Sequence, residues 1–221
     1  MANYLITGVG RGIGRAMAEE ALARGHNVIG STRDGLCCWN HDNLKLLAFD
    51  VTDDASVQNA AKGYDGVVDV LIHNSGIFGP RNQNLSDLTP VDMLEVMNVN
   101  IVGPFRVLQA FLPHLEKSKA ARVLVISSMM GRFSSGSVGA AAYRVSKAGA
   151  NKLVQSYANE LSPKNILIIA CHPGWVRTDM GGAGAEIDAS ESAKGLVDLA
   201  ENLTLEGTGQ FMDWTGHRQD W

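Results

Sequence analysis

The chain is poor in the features that mark membrane, disulfide-stapled and nucleic-acid-binding proteins. No apolar run approaches the ~20 residues of a bilayer-spanning helix, and Tyr4-Leu5-Ile6 enters a strand so early that no signal peptide is expected. The 3 cysteines cannot form a disulfide framework, since Cys37 and Cys38 are neighbours and Cys171 lies in an apolar run. An odd count without ligand spacing favours a reducing, cytoplasmic setting. His26, His41, His73, His114, His172 and His217 are scattered, so no metal is expected. A net charge of −4 lacks the basic excess that nucleic acid or an anionic membrane would require.

What is present describes a packed enzyme-sized domain. With 45% hydrophobic and 19% charged residues the composition is globular and not disordered. A length of 221 residues suits one α/β core and is short for two. No repeat, low-complexity tract or linker interrupts residues 1–221, which read as a single domain. Strands are predicted at Ala2–Ile6, Asn27–Thr32, Leu44–Phe49, Val68–His73, Arg122–Ser127, Ile166–Cys171 and Gln210–Asp213. Several are continuous apolar runs, as parallel strands covered on both faces are. Helical stretches lie between them, notably Arg15–Ala23, Val91–Leu115 (with a break near Gly103-Pro104), Ala141–Leu161 and Ser190–Asn202. The alternation predicts an α/β fold, a doubly wound Rossmann-type parallel sheet of about seven strands with helices on both faces.

Two motifs carry chemistry. In Tyr143-Arg144-Val145-Ser146-Lys147, tyrosine and lysine lie four apart and share a helix face. An ammonium there can stabilise the phenolate and bring a phenol that ordinarily titrates near ~10 into use as a proton donor or acceptor. Upstream, Thr7-Gly8-Val9-Gly10-Arg11-Gly12-Ile13-Gly14 joins a strand to a helix, which sets backbone N–H groups and a positive dipole end against a pyrophosphate. The spacing is not G-x-G-x-x-G/A, because Ile13 stands where a small residue is required. T-G-x-x-x-G-x-G fits, with Gly8, Gly12 and Gly14. A glycine-rich loop and a lone Tyr-x-x-x-Lys pair are the bland alternatives, and their company decides against them.

Thr7–Gly14, His73-Asn74-Ser75-Gly76, Asn100, Ser128, Tyr143 with Lys147, and Pro173-Gly174 followed by Thr178 together resemble the short-chain dehydrogenase/reductase family, in the family's order and over residues 1 to about 180. Gly209-Gln210-Phe211 is similar to its final strand, and His172–Met180 is most similar to its C-factor and sniffer-type carbonyl reductase branch. The resemblance implies reversible hydride transfer between a nicotinamide cofactor and a carbonyl or alcohol of a small molecule. It implies Tyr143 as general acid or base and Ser128 as hydrogen-bond partner of the substrate oxygen. Lys147 would lower the Tyr143 pKa and hold the nicotinamide ribose, and Asn100 would support a water relay. Ser134, Ser135 and Ser137 remain alternatives to Ser128, because the segment before Tyr143 is longer than is usual in the family. Ser127 and Ser128 must face opposite ways on a strand.

On the same resemblance the cofactor is held by Gly8, Gly12, Ile13 and Gly14 at the pyrophosphate. Asp50 and Val51 lie at the adenine, Asn74, Ser75 and Gly76 at the ribose, and Pro173, Gly174, Val176 and Thr178 at the carboxamide. NADP(H) is favoured over NAD(H): the second strand ends Ser31-Thr32-Arg33 with no carboxylate at the site that selects a free 2′-hydroxyl. Arg33 offers a planar fork to a 2′-phosphate, with Arg11 as a second contact. Asp34 dissents, since it could pair with Arg33. His73 and Ser75 depart from the family's Asn-Asn-Ala-Gly, and His73 is expected to make a structural hydrogen bond. The loop from Asp179 to about Ala189 is a short substrate lid. Met129, Met130, Phe133, Trp175 and Met180 form an apolar wall or ordinary packing, and Arg144 and Arg177 are structural or meet an anionic substrate. A homodimer or homotetramer through the long helices is implied. A cofactor-binding sensor without turnover is the competing function, because a fold alone does not establish catalysis.

Overall fold

The computed structural model describes residues 1–134 and 138–221. One sheet organises them, in the strand order β3-β2-β1-β4-β5-β6-β7-β8. The strands are β1 (Asn3–Thr7), β2 (Asn27–Thr32), β3 (Leu44–Ala48), β4 (Val70–His73), β5 (Ala121–Ile126), β6 (Ile166–His172), β7 (Phe211–Asp213) and β8 (Arg218–Gln219). The first seven run parallel, and β8 returns antiparallel on β7. The sheet therefore has 8 strands where the apolar pattern predicts about seven. β8 is two polar residues long, with no alternation to betray it, and is made by pairing alone.

Both faces of the sheet are covered, which is why its strands read as unbroken apolar runs. On one face α1 (Gly12–Ala23) and α6 (Ala189–Asn202) bury Met17, Leu22, Leu196 and Val197 against Tyr4, Ile6, Val28 and Ile72. On the other, α2 (Asp54–Lys62), α4 (Gly103–Leu115) and α5 (Ala141–Leu161) pack Val57, Phe111 and Val154 against Leu5, Leu71 and Val123. The two sides have separate cores because successive strand residues point to opposite faces. α3 (Pro90–Met97) precedes α4 and begins with a capping box in which Thr89 and Asp92 satisfy each other's backbone N–H.

The long helix expected over Val91–Leu115 is interrupted earlier than the Gly103-Pro104 break in the sequence suggests. Asn98–Val102 forms a π-helical turn in which the Gly103 N–H returns to the Asn98 carbonyl. Pro104 has no N–H to give to the carbonyl four residues back, that of Asn100, so a rung of the regular ladder is missing next to the fault.

Candidate active site

Strand order reverses between β1 and β4, and the crevice outside their carboxyl ends is where α/β sheets bind ligands. Thr7, fully buried, closes the bottom of that crevice. Its Oγ1 accepts the backbone N–H groups of Asn74 (3.0 Å) and Ser75 (2.9 Å), while Asn74 Nδ2 donates to the Thr7 carbonyl at 2.9 Å. The glycine turn is thereby tied to the end of β4. Gly8 (φ +76°) and Gly12 (φ +58°) adopt left-handed backbone that a side chain would strain. A Cβ at Gly14 would collide with the Gly8 carbonyl and the Asn74 amide. α1 has no side-chain cap, so its first-turn N–H groups, from Gly12 through Gly14 and including Ile13, remain for an anion. This cradle fits a pyrophosphate.

The residues expected around the rest of a dinucleotide fall along the same groove. Arg33 directly follows β2 at the surface. Asp34 does not pair with it: the carboxylate accepts from Thr32 Oγ1 (3.2 Å) and from the Leu36 N–H (3.0 Å), an Asx-type turn that holds its pKa low, first through the Leu36 amide. Asp50 likewise binds the Thr52 N–H (2.8 Å) and Oγ1 (2.7 Å), and beside it Val51 packs against Gly103. Gly76 faces the Asn100 Oδ1 and the Lys147 Nζ, each within about 3.5 Å of where a Cβ would stand. Arg11 is already engaged, by an exposed ion pair of 2.5 Å with Asp179 beyond β6.

Ser128, Tyr143, Lys147 and Asn100 converge at the end of β5 and the start of α5. Tyr143 and Lys147 are both buried on α5, with the Lys147 Nζ 5.6 Å from the centre of the Tyr143 ring. Burial raises the Tyr143 pKa above its ordinary value, and a hydrogen bond from the Ser128 side chain opposes the rise. The motif predicts that lysine depresses that pKa. Instead the Lys147 ammonium donates to the Ile126 carbonyl at 2.8 Å, and desolvation draws its own pKa down to about 8. Ser127 turns away from the site, to Asn151 Oδ1 at 2.5 Å, as strand alternation requires. Ser128 Oγ accepts the Met130 N–H at 3.1 Å, ending β5 in a short turn. Of the alternative serines, Ser134 receives a hydrogen bond from Arg132 at the exposed surface, and Ser135 and Ser137 lie outside the described residues.

Asn100 sits in the π-helical turn, 3% exposed. Its side chain clamps Ile77 by both backbone groups, at 2.9 Å and 2.8 Å, and gives its second N–H to Ser146 Oγ at 2.9 Å. Ser146, one residue before Lys147, passes the bond on to the Tyr143 carbonyl at 2.7 Å. Nothing in the motif spacing singles out Ser146 or Gln83; each acts through a backbone group, and such contacts leave no signature in sequence.

His73 corrects an expectation. It ends β4 at 2% exposure, and neither ring nitrogen has a hydrogen-bond partner among the described residues, in place of the structural bond anticipated. It pairs in register with Val125 on β5, and the Lys147 ammonium acts on it electrostatically. Burial and then that positive charge lower its pKa to about 3, against a smaller opposing pull from the Ser75 backbone. The imidazole is neutral throughout the physiological range.

The segment after β6 supplies the other wall. Pro173 is held by Ser192 Oγ (2.6 Å), and Gly174 turns at φ +88° where a side chain would strike Ile187. Val176 pairs with Ile187, and Arg177 pins the return by donating to Ala185 and Glu186 carbonyls and to Asp188 at 2.8 Å. Arg177 is thus structural. Arg144 donates to the Gly139 carbonyl at 3.0 Å. Thr178 rests against the glycine turn, its methyl 3.5 Å from where a Gly12 Cβ would be. Trp175 and Met180 are each 52% exposed and Phe133 83%, so these members of the expected apolar wall are surface side chains and not core.

Ala140, just before α5, holds φ 53° and ψ 39° without being glycine or asparagine. Left-handed backbone costs an L-residue roughly 1–2 kcal/mol. Ala140→Gly is therefore expected to stabilise the fold by up to about 1 kcal/mol after the entropy of glycine is charged against it, read as a rise in Tm. A fall in Tm would show that the strain is not there.

Comparison with known proteins agrees with this geometry. The short chain dehydrogenase family model matches residues 2–187. The chain is 39% identical to the C-signal of Myxococcus xanthus over 157 residues, which are 71% of this chain and 94% of that protein. Among solved structures, an NADPH-bound carbonyl reductase from chicken fatty liver superposes with a TM-score of 0.92 at 30% identity, covering 100% of this chain and 99% of that one. The carbonyl reductase Sniffer of D. melanogaster superposes at 0.91 and 26% identity, covering 100% of both. A glycine cradle at the sheet's switch point, a buried tyrosine and lysine on one helix face and a match through residue 187 agree, and the chain belongs to the short-chain dehydrogenase family.

Proposed function

We propose that this protein is an NADP(H)-dependent carbonyl reductase, working in reverse as an alcohol dehydrogenase on a small molecule. The observation that carries the proposal is the burial of Tyr143 and Lys147 together, with Ser128 bonded to the phenol, at the mouth of the glycine-floored groove. When bound, the nicotinamide supplies or accepts the hydride. Tyr143 keeps its proton at neutral pH, because burial holds its pKa high, and so can give it to a carbonyl oxygen that is gaining charge. Ser128 fixes the same oxygen. Lys147, 5.6 Å from the ring centre, attracts the phenolate as the proton leaves. The Asn100 carbonyl, which Pro104 cannot serve, is the inner end of a path for the replacement proton.

Two observations favour NADP(H): a neighbouring structure is NADPH-bound, and Asp34 is spent on its own turn, leaving Arg33 for a 2′-phosphate. Arg11 would be its second contact once released from Asp179. Gly8, Gly12, Ile13 and Gly14 would take the pyrophosphate, Asp50 and Val51 the adenine, Asn74, Ser75 and Gly76 the ribose, and Pro173, Gly174, Val176 and Thr178 the carboxamide. Arg33→Glu is expected to weaken NADPH binding about tenfold or more while sparing NADH, measured by fluorescence titration. Equal weakening of both would remove this basis for cofactor choice.

Homo-oligomerisation through the long helices is part of the proposal, since Val91 (73% exposed) and Leu94 (68%) on α3 and Val145 (53%) on α5 leave apolar surface uncovered. A reducing, cytoplasmic setting suits the three unpaired cysteines. The direct test is NADPH oxidation across aldehydes, ketones, diketones and quinones. Turnover establishes a reductase, and failure to bind NADPH at all would sink the proposal.

A further inference from the structure

We infer that Gln83 is a positioning residue for Tyr143, serving as the cap that α5 lacks. The inference rests on the proposal that Tyr143 is the proton donor. α5 opens without a cap of its own, since Ala140 offers no side-chain acceptor. The first N–H groups of a helix have no partner within it and need an acceptor from elsewhere. Gln83 provides one from a loop 60 residues away in sequence: its Oε1 accepts the Tyr143 N–H, third in the helix, at 3.1 Å. Gln83 is 3% exposed, and its Nε2 donates to the carbonyls of Phe78 (2.8 Å) and Pro80 (2.9 Å).

The orientation of this amide is settled by its partners. A backbone N–H can only donate and two carbonyls can only accept, so oxygen and nitrogen cannot be exchanged. Glutamine alone meets all three demands. Glutamate would keep the acceptor but turn a carboxylate oxygen to two carbonyls, and methionine would satisfy none of the three.

Gln83 also controls what packs on the reacting ring. Phe78, whose carbonyl it holds, lies against the Tyr143 ring at a centroid distance of 4.9 Å and a tilt of 33°. At its other end the same segment is clamped by Asn100 through Ile77. Ile77 to Gln83 is therefore a strap fastened at one end to Asn100 and at the other to the backbone of Tyr143. Releasing the Gln83 end frees the first turn of α5 and the aromatic support together. A misplacement of ~1 Å at a reacting group is worth on the order of 10² in rate. The glycine cradle, held by Thr7 and Asn74, is not part of the strap.

The test compares wild type, Tyr143→Phe, Gln83→Met and Gln83→Glu for kcat, KM and NADPH affinity, together with amide hydrogen exchange across residues 141–147. Gln83→Met is expected to lower kcat about tenfold or more with NADPH affinity nearly unchanged, and to speed exchange at the Tyr143 amide. Gln83→Glu, which retains the acceptor, is expected to keep that amide protected and to retain more of kcat than Gln83→Met. Unchanged kcat and exchange in Gln83→Met would overturn the inference. So would a joint decline of kcat, NADPH affinity and protection throughout the chain, the signature of general destabilisation. Should Gln83→Met fail to fold, an unprotected Tyr143 amide in folded Gln83→Glu would overturn it equally. Turnover surviving in Tyr143→Phe would strike the proton-donor proposal instead, and exchange would still report the cap.

Discussion

Tyr143→Phe is expected to lower carbonyl reduction by about 10²–10⁴-fold, the range that a positioned general acid contributes, while NADPH affinity stays nearly unchanged. The substitution removes one hydroxyl and leaves the ring, its contact with Phe78 and the backbone bond to Gln83 in place. Ser128 is a far weaker acid than a phenol, and the Lys147 ammonium directs one of its three protons to the Ile126 carbonyl. Its direction with pH follows from burial. Because Tyr143 titrates above its ordinary value, reduction should be fastest where the phenol is protonated and decline as pH rises through its pKa. Lys147, near 8, titrates first and sits against the same ring, so a pH–rate profile will report the pair and not either residue alone. Steady-state turnover of the two proteins on one carbonyl substrate, with NADPH titrated separately, gives the answer. Turnover retained by the variant would refute the mechanism.

Acid should destabilise the fold well before its carboxylates protonate. His73 is held neutral down to about 3 and His172, also mainly by burial, down to about 4, whereas in the unfolded chain both take up a proton near ~6.5. The sign follows from counting protons. Below pH ~6.5 the unfolded state binds more of them than the folded state, so stability, complete above that pH, falls as pH drops. The loss continues until the folded-state values near 3 and 4 are reached. Each histidine contributes a slope of about 1.4 kcal/mol per pH unit in that window. Between pH ~6.5 and ~5 the carboxylates, several held low by their own hydrogen bonds, are silent, and the slope isolates the histidines. Denaturant unfolding over this interval should show a shallower dependence for His73→Asn than for wild type. Parallel curves would mean that the imidazole is not desolvated as its surroundings imply.

Much of the architecture was legible because it is written in side chains that repeat. β2 and α5 have the boundaries their patterns predict, Asn27–Thr32 and Ala141–Leu161, and the other parallel strands differ at their ends. Burial on both faces makes such strands apolar throughout, and a 21-residue helix gives its periodicity room to declare itself. The pairing of Tyr143 with Lys147 was legible for a different reason, the fixed spacing that one helix face imposes, whereas Ser128 was indicated by the family resemblance alone. Where single residues make or break a contact, the pattern is silent. The unpartnered ring of His73 could not be told from a bonded one, because the sequence names the residue and not what surrounds it. Gln83 reads as one more polar loop residue until its three partners are seen, and Pro104 announced a break but not that the fault would appear at Asn98–Val102.

The Arg11–Asp179 pair joins the glycine turn to the start of the post-Thr178 loop, 168 residues apart in sequence, in full contact with solvent at 82% and 77% side-chain exposure. Exposed pairs are worth at most about 1 kcal/mol, a free energy that thermal motion supplies many times before a dinucleotide diffuses in. The groove is therefore tethered without being barred. Its dwell time open should lengthen with ionic strength, so that moderate salt quickens exchange of the bound nucleotide even as it weakens the attraction of Arg33 for a phosphate.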